Sequence, residues 1–549
     1  MTDDMMKTMS LIWVLAAGAA VVACKPTPRT AEHADGTAAH KEEITAPPAD
    51  AAQPEETAQP PAEEQPTPRQ EVGLLEVSVT RQDYNRLRPW EKHNANNGHY
   101  MGVYLGNGRV LAPGNAARAA TYVELSLPDG SHTAPARVVK YDDELNLALL
   151  TVEHPEDAEL FAGMSELSVG EPLHLNDRAE VCALLRGMEP ARVEAEVESA
   201  DDEDAEDLPR LELRTDKPLP QGNAMGLPIV KDGKLVALTE RYSAQEQILT
   251  CINAEFISRF LDESTIEGES VPVLGLLFAE LDDPVFSKYL KLNPKQGGVY
   301  VSKVLPGSSA ANAGVRQGDV LISIDGLELD KLGRCQHPIY GLIGARQTIR
   351  SLKPVGQHIT LGISRNGEIK ELSLPLNRDA LSKRLLGKER PGVAPRYIVW
   401  GGMLFQPLTE TYLDALQDSA RSLPLPFLQV RDRESELQNE GYQEVVALTL
   451  VVPTPATLGY DGLGFCMVEQ VNGQQVSSFA RFAQLLDAPT DDGIVELTIN
   501  RPPYRIYLDR QIVESSNDAI RRRAIPRLRQ MGQETTTHLP LTIDESIIL

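Results

Sequence analysis

The tightest constraint on the fold comes from residues 73–263, which turn residues cut into short apolar segments. Leu75–Val79 alternates, so Leu75, Val77 and Val79 share one face of a strand. Gly102–Leu111 reads as two strands folded about an Asn107-Gly108 turn, a pair that tolerates the positive φ of a tight hairpin. Further runs follow at Tyr122–Leu127, Ala136–Tyr141, Leu147–Val152, Leu173–Leu175, Val181–Leu185, Lys234–Thr239 and Gln247–Ile252. Only Glu255–Leu261, at the end, spaces its apolar residues as a helix does. Many short strands with few helices cannot bury their apolar faces as a bundle. Paired β-barrels remove the unpaired edges and are the expected form.

At 549 residues the chain is long enough for several domains, and 42% hydrophobic residues supply sizeable cores. A formal charge of -26 argues against nucleic acid and anionic membrane surfaces as main partners. Between Glu194 and Asp207 nine of fourteen residues are acidic, which reads as a solvated surface loop. Its Asp201–Asp204 run is a minor candidate for a divalent cation, although it lacks the glycine and alternate spacing of a calcium loop. No cysteine spacing resembles a metal site, and no motif implies a cofactor.

The ends differ from the middle. Leu11–Ala23 is an apolar run too short to span a bilayer permanently, and it ends in Val21-Val22-Ala23-Cys24. That ending resembles a bacterial lipobox, with small residues before the cut and a thiol after it to carry the lipid. Residues 1–24 are therefore expected to be a lipoprotein signal peptide with Cys24 lipidated. Lys25 after the cysteine favours the outer membrane, periplasmic face. The alternative is an ordinary signal peptide with a chance cysteine. Residues 25–70 are rich in Ala, Pro, Glu and Thr and nearly devoid of large apolar side chains, hence a disordered tether. Such a tether reaches about 35–40 Å.

Three segments at fixed separations carry the chemistry. Residues 108–117 read Gly-Arg-Val-Leu-Ala-Pro-Gly-Asn-Ala-Ala, and residues 141–150 read Tyr-Asp-Asp-Glu-Leu-Asn-Leu-Ala-Leu-Leu. Residues 221–230 read Gln-Gly-Asn-Ala-Met-Gly-Leu-Pro-Ile-Val. Together they resemble the triad motifs of the HtrA/Deg family of trypsin-like serine proteases. On that resemblance Asn115 falls on the histidine, Asn146 on the aspartate and Ala224 on the serine. The last loop is similar to Gly-Asn-Ser-Gly-Gly-Pro-Leu with the serine gone. Gly222 would be a remnant of the oxyanion loop, and Met225 stands where the family has glycine.

A serine protease needs an oxygen nucleophile, a base near neutral pH and a carboxylate that orients the base. Alanine has no nucleophilic atom, and an asparagine amide has neither useful basicity nor charge. Losing the serine or the histidine alone costs on the order of 10⁶ in rate. The implied domain is a pseudoprotease. His99 and His132, with Ser126, Ser131 and Ser243, are the alternative supply of base and nucleophile nearby. An oxidising envelope would permit a Cys182–Cys251 disulfide; isolated buried thiols are the other reading.

Beyond residue 270, Gly297–Gly326 resembles an HtrA-type PDZ domain. Val299–Val304 alternates as a strand, Ser309–Ala313 is a short small-residue helix, and Asp319–Ile324 is a strand ended by Asp325-Gly326. In such modules a peptide adds a strand to the opening edge while backbone N–H groups capture its carboxylate. The implied residues are Leu274, Gly275 and Leu276, with Leu276 and Leu277 as an apolar floor. The alternative is an edge closed by the chain itself.

After a linker at 378–395, Tyr397–Phe405 reads as a second opening strand and loop. Strands at Val445–Val452, Met467–Val471 and Val495–Ile499 and a helix at Phe479–Leu486 follow. The layout resembles plant Deg proteases with two PDZ-like modules. The expected architecture is thus mainly β, a trypsin-like double β-barrel (73–263) followed by two PDZ-like α+β modules (270–378 and 395–530). A tail at 531–549 ends in the apolar Ser546-Ile-Ile-Leu549, a candidate for docking in a PDZ groove.

The resemblance implies polypeptide ligands with apolar C-termini, a homotrimer or larger assembly, and membrane contact through the lipid alone. A divergent active endopeptidase and a structural envelope protein with sealed grooves are the alternatives.

Overall fold

The computed structural model describes residues 72–520 and 522, except 185–189, 202–207, 220–223, 266–269, 294, 383 and 421. The expected signal peptide with Cys24, the expected tether, Gly222 and the 531–549 tail lie outside the described residues. Strands β1 (Leu74–Arg81), β2 (Asn96–Tyr104), β3 (Val110–Pro113), β4 (Ala120–Ser126), β5 (Thr133–Asp142) and β6 (Leu147–Val152) form the first barrel. It closes in the order β1-β2-β3-β6-β5-β4. Leu75, Val77 and Val79 point inward against Val110, Leu125 and Leu150, as their alternation requires. The hairpin between β2 and β3 holds Gly106, Asn107 and Gly108 at positive φ.

The second barrel has β7 (Arg178–Leu184), β8 (Pro190–Asp201), β9 (Arg210–Thr215), β10 (Pro228–Lys231), β11 (Lys234–Ser243) and β12 (Ile248–Asn253). It closes as β10-β11-β12-β9-β8-β7. Here three expectations are corrected. The acidic stretch opens as strand β8 instead of a loop, because Glu194, Glu196 and Glu198 alternate with the buried Ala195 and Val197. Two of those glutamates pair outward with arginines on the flanking strands: Arg178 Nη2 lies 2.8 Å from Glu196, and Arg214 Nε 2.6 Å from Glu198.

The Cys182–Cys251 disulfide is absent, and both thiols are free and buried. They stand on β7 and β12, which are not neighbours in the barrel, and Cys251 Sγ donates to Leu211 O at 3.4 Å. Leu173–Leu175 forms no strand. Asn253 serves Leu173 in place of a ladder, accepting its N–H at 2.9 Å and donating to its O at 3.0 Å. The same asparagine caps helix α1 (Ala254–Leu261), which buries Phe256, Ile257 and Phe260 on the second barrel.

The first module is a sheet of β13 (Leu276–Ala279), β14 (Val299–Val304), β15 (Val320–Ile324), β19 (His358–Arg365) and β20 (Glu368–Pro375) in that order. β16 (Leu327–Glu328) pairs with β15, and β17 (Arg334–His337) with β18 (Gly341–Gly344) makes a separate hairpin. Its helices are α2 (Pro284–Tyr289), α3 (Ser309–Asn312), α4 (Ala345–Leu352) and α5 (Asp379–Ser382). Helix α3 starts at Ser308, whose Oγ accepts the Ala311 N–H.

The second module repeats the plan as β21 (Ile398–Trp400), β22 (Met403–Pro407), β23 (Val446–Val451), β24 (Cys466–Val471), β26 (Ile494–Ile499) and β27 (Arg505–Asp509). β25 (Gln474–Gln475) pairs with β24. Three helices, α6 (Glu410–Ala420), α7 (Leu425–Asp432) and α8 (Glu434–Asn439), intervene between β22 and β23. Helix α9 (Phe479–Asp487) buries Phe479, Phe482, Leu485 and Leu486 against the sheet.

These parts lie in one unit, Pro68–Leu549, and are tied together. Glu144 accepts from Arg350 of α4 with one oxygen and from Arg378 with the other, the second at 2.7 Å. Between β1 and β2 the chain sends out Arg86, which is buried and donates to Glu389 Oε2 at 3.0 Å and Val393 O at 3.2 Å. Close by, Trp90 meets the Tyr397 ring edge-on at 6.2 Å. The 378–395 connection is therefore packed, with Leu385 and Leu386 buried in the cluster around α6 and α7.

Candidate functional site

Of the three positions singled out by the sequence, Asn115 and Asn146 meet directly. Asn115 sits in a single 3-10 turn, Gly114–Ala116, just after β3. Asn146 ends the tight turn before β6 in the left-handed region, φ 53°, which asparagine tolerates better than most residues. Asp142 builds that turn by accepting the Glu144 and Leu145 N–H groups, each at 3.0 Å. Gly114 donates to Asn146 O at 2.7 Å, and a Cβ at Gly114 would lie 2.8 Å from Asn146 C. Only glycine permits so close an approach.

The Asn146 side chain uses both ends of its amide. Its Oδ1 accepts the Asn115 N–H at 3.1 Å, and its Nδ2 donates to Glu240 Oε1 on β11 at 2.9 Å. Glu240 is in turn paired with Arg210 on β9, and both side chains are largely buried. An asparagine can donate and accept at once, whereas an ionised carboxylate accepts only. Residue 146 thus spans the seam between the barrels by means of a group that an aspartate does not have.

Ala224 lies where the chain crosses that seam. Its methyl packs on the second barrel's cluster, while the Met225 side chain packs on the first barrel's. Met225 O accepts the Met101 N–H of β2 at 2.9 Å, and Gly226 donates to Thr239 O of β11 at 2.8 Å. Gly226 has φ 88°, and a Cβ there would overlap Met101 O and lie 2.8 Å from Pro113 Cδ. The 224–226 loop is therefore stitched to both barrels beside Pro113, two residues before Asn115.

Two serine–histidine pairs occur among the described residues. Ser78 Oγ and His99 Nδ1 are 3.1 Å apart on the exposed outer face of β1 and β2. Ser351 Oγ and His337 Nε2 are 3.3 Å apart but buried. His337 Nδ1 accepts the Ile339 and Tyr340 N–H groups at 3.1 and 3.3 Å, so the ring proton sits on Nε2. Ser351 meanwhile donates to Gln347 O at 2.7 Å. That histidine has no lone pair left for the serine and cannot act as its base. Ser131 is bonded to Asp129 at 2.7 Å and Ser126 accepts from Thr133 at 3.3 Å, and neither bonds a histidine among the described residues.

The second site is the opening edge of the first module. β13 ends the sheet order, so one side of it carries no strand among the described residues. Leu274 is buried and its O accepts the Ala310 N–H at 3.3 Å, while Gly275 O accepts the Leu305 N–H at 2.8 Å. Gly275 has φ 76°, and a Cβ there would collide with Ser308. Among the described residues no acceptor takes the Leu274 or Gly275 N–H. Leu276 and Phe278 are half-buried on the module's core with Ile349 of α4. Leu277 departs from the expectation: it stands on the opposite face, 39% exposed, because neighbouring strand residues point to opposite sides. Phe278 takes the place assigned to it in the floor.

The corresponding edge of the second module is closed. There β22 pairs on one side with β23 and on the other with β21, through the Gly401-Gly402 turn. Arg396, two residues before β21, stacks over Phe479 of α9 at 5.7 Å.

Glu240 and Met101 are the partners that sequence reasoning misses. Glu240 lies 94 residues from Asn146 with no local pattern to mark it.

Residues 272–376 and 388–529 each match the family described as PDZ domain. Protease Do-like 2, chloroplastic, of Arabidopsis thaliana is 25% identical over 417 residues, 74% of this chain and 66% of its own length. Periplasmic serine endoprotease DegP of Escherichia coli K12 is 24% identical over 287 residues, 50% of this chain and 55% of its own. The chain thus spans about two thirds or less of these relatives. A solved structure, HtrA-type protease AlgW with decapeptide, aligns over 56% of this chain and 96% of its own, with TM-score 0.40 and 15% identity.

Proposed function

The chain belongs to the HtrA/Deg family of trypsin-like proteases and carries two PDZ domains, and from that premise we propose that it is a pseudoprotease that binds polypeptide C-termini. One observation carries the first half of this reading. The Asn146 amide is bonded at both ends, to the Asn115 N–H and to Glu240, in a site whose third position is the inert Ala224. Asn115 offers no base, Ala224 no nucleophile, and Asn146 has become a tie between barrels.

The second half rests on the open β13 edge. Leu274 and Gly275 present N–H groups to a carboxylate, and Leu276, Phe278 and Ile349 supply an apolar floor. Since β21 occupies the matching edge of the second module, capture belongs to the first module and the second serves structure or assembly. Scaffold, adaptor or holdase work in envelope protein quality control follows from such binding. Lipidation at Cys24, an outer-membrane location and assembly into trimers or larger oligomers complete the proposal. They rest on the lipobox resemblance and on the periplasmic relative.

The deciding experiment is hydrolysis of unfolded casein by the purified soluble chain, with binding of a free-carboxylate apolar peptide measured beside its amidated form. Silence in the first assay and loss of binding on amidation are expected. Cleavage that survives repurification would restore the enzyme reading, and binding of neither peptide would point to a sealed structural protein.

A further inference from the structure

The β17–β18 hairpin is a plug. Its turn carries Tyr340, whose ring lies in the second barrel's core cluster with Ile343, and Ile339 packs beside them. The Tyr340 hydroxyl bonds the Glu255 carboxylate of α1, and its ring lies 6.5 Å from Phe256. Arg259 of α1 donates to the main-chain oxygens of Arg350 and Ser351 on α4, so hairpin and helix dock together.

His337 shapes that turn. It is 2% exposed, and its Nδ1 lone pair accepts two consecutive main-chain N–H groups, of Ile339 and Tyr340. Only a histidine unprotonated at Nδ1 can do this. We propose that His337 is an acid-sensitive pin: neutral, it holds the Tyr340 turn that seats the first PDZ module in the second barrel, and protonation releases that turn.

The groups around it set the sign. From α1 come Arg259 and Glu255; from α4, Ser351; from its own turn, Tyr340, with rings 5.2 Å apart; and Arg210 of β9 acts on the Glu255–Tyr340 pair. Burial, then the Arg259 charge, hold the His337 ring down to about 4 from an ordinary 6.5. The docked form therefore binds this proton less readily than the released form. The His337 contribution to docking is at full strength above about pH 6.5 and is lost as pH falls toward 4. Glu255 opposes this, because burial raises its carboxyl and the docked form keeps that proton more readily. A test must therefore separate the two.

Hydrogen–deuterium exchange on the full chain at about pH 7 and about pH 4.5, corrected for the intrinsic rate, does so. Between those values the protection of the Ile339–Gly341 amides should fall on the order of 50-fold further in the natural chain than in His337→Asn, in which Glu255 still titrates. In His337→Asn the amide oxygen can still accept both N–H groups without titrating, so this chain reports the Glu255 contribution alone. An equal response in both chains overturns the proposal. Should His337→Asn fail to fold, an NMR titration of the labelled His337 ring in the natural chain decides. A midpoint below about 5 supports the pin, and one near about 6.5 overturns it.

Discussion

The Asn146 Nδ2 group donates to Glu240 Oε1 at 2.9 Å across the seam between the two barrels. In this place an orienting aspartate would be a second carboxylate against Glu240, with Arg210 already engaged. Asn146→Asp should therefore destabilise the chain at pH 7 by about 1–3 kcal/mol, the cost of a lost hydrogen bond plus like-charge repulsion. Glu240→Gln in the same chain should return most of it, because the new amide donates to the new carboxylate. Chemical denaturation of the four chains of the cycle measures the coupling. The crowding of two carboxylates raises a carboxyl in the folded single variant, so its deficit should shrink as pH falls from 7 toward 5. Additive losses in the double variant would contradict this account.

The 224–226 loop depends on Gly226 in the same way. Its φ of 88° and the position of Met101 O leave no room for a methyl group. Gly226→Ala should lower stability by about 1–3 kcal/mol or more, through left-handed backbone and overlap together. A thermal melt within a degree of the natural chain would show that the loop can move aside.

Glu144 is the shared anchor of the first PDZ module. Glu144→Gln leaves Arg350 and Arg378, both largely buried, without their carboxylate. About 1–3 kcal/mol of module docking should be lost, with the barrel itself intact. Limited proteolysis near 262–271 and a split denaturation curve are the expected signs; a single unchanged transition would place the docking energy in the hairpin instead.

How far this was readable in the chain depended on whether the physics was local. Leu75, Val77 and Val79 alternate over five residues, and the strand follows from that alone. The hairpin glycines and Asn107 announce their positive φ by residue type. By contrast β8 hides its alternation under glutamates, where charge is the louder signal and the buried Ala195 and Val197 the quieter. Leu277 fails because two adjacent leucines cannot both face a floor. Asn146 was legible as a departure from a family pattern, but its use was not. The meaning of its amide depends on Glu240 and Arg210, which only closure of the second barrel brings to the seam.

The cysteines offer a last test of that closure. A disulfide between Cys182 and Cys251 would need two strands to be neighbours that the barrel separates. Burial instead pushes the Cys182 thiol up to about 11 and the Cys251 thiol higher, with no cation close enough to reverse it. Thiolate, the reactive form, is then scarce at neutral pH. The folded chain should leave both thiols unreactive toward an aromatic disulfide reagent at pH 7.5–8, and both should react at once in denaturant. Reductant should leave the melting temperature unchanged. A melting temperature that falls by several degrees on reduction would mean that the two strands do meet, and the second barrel's strand order would have to be redrawn.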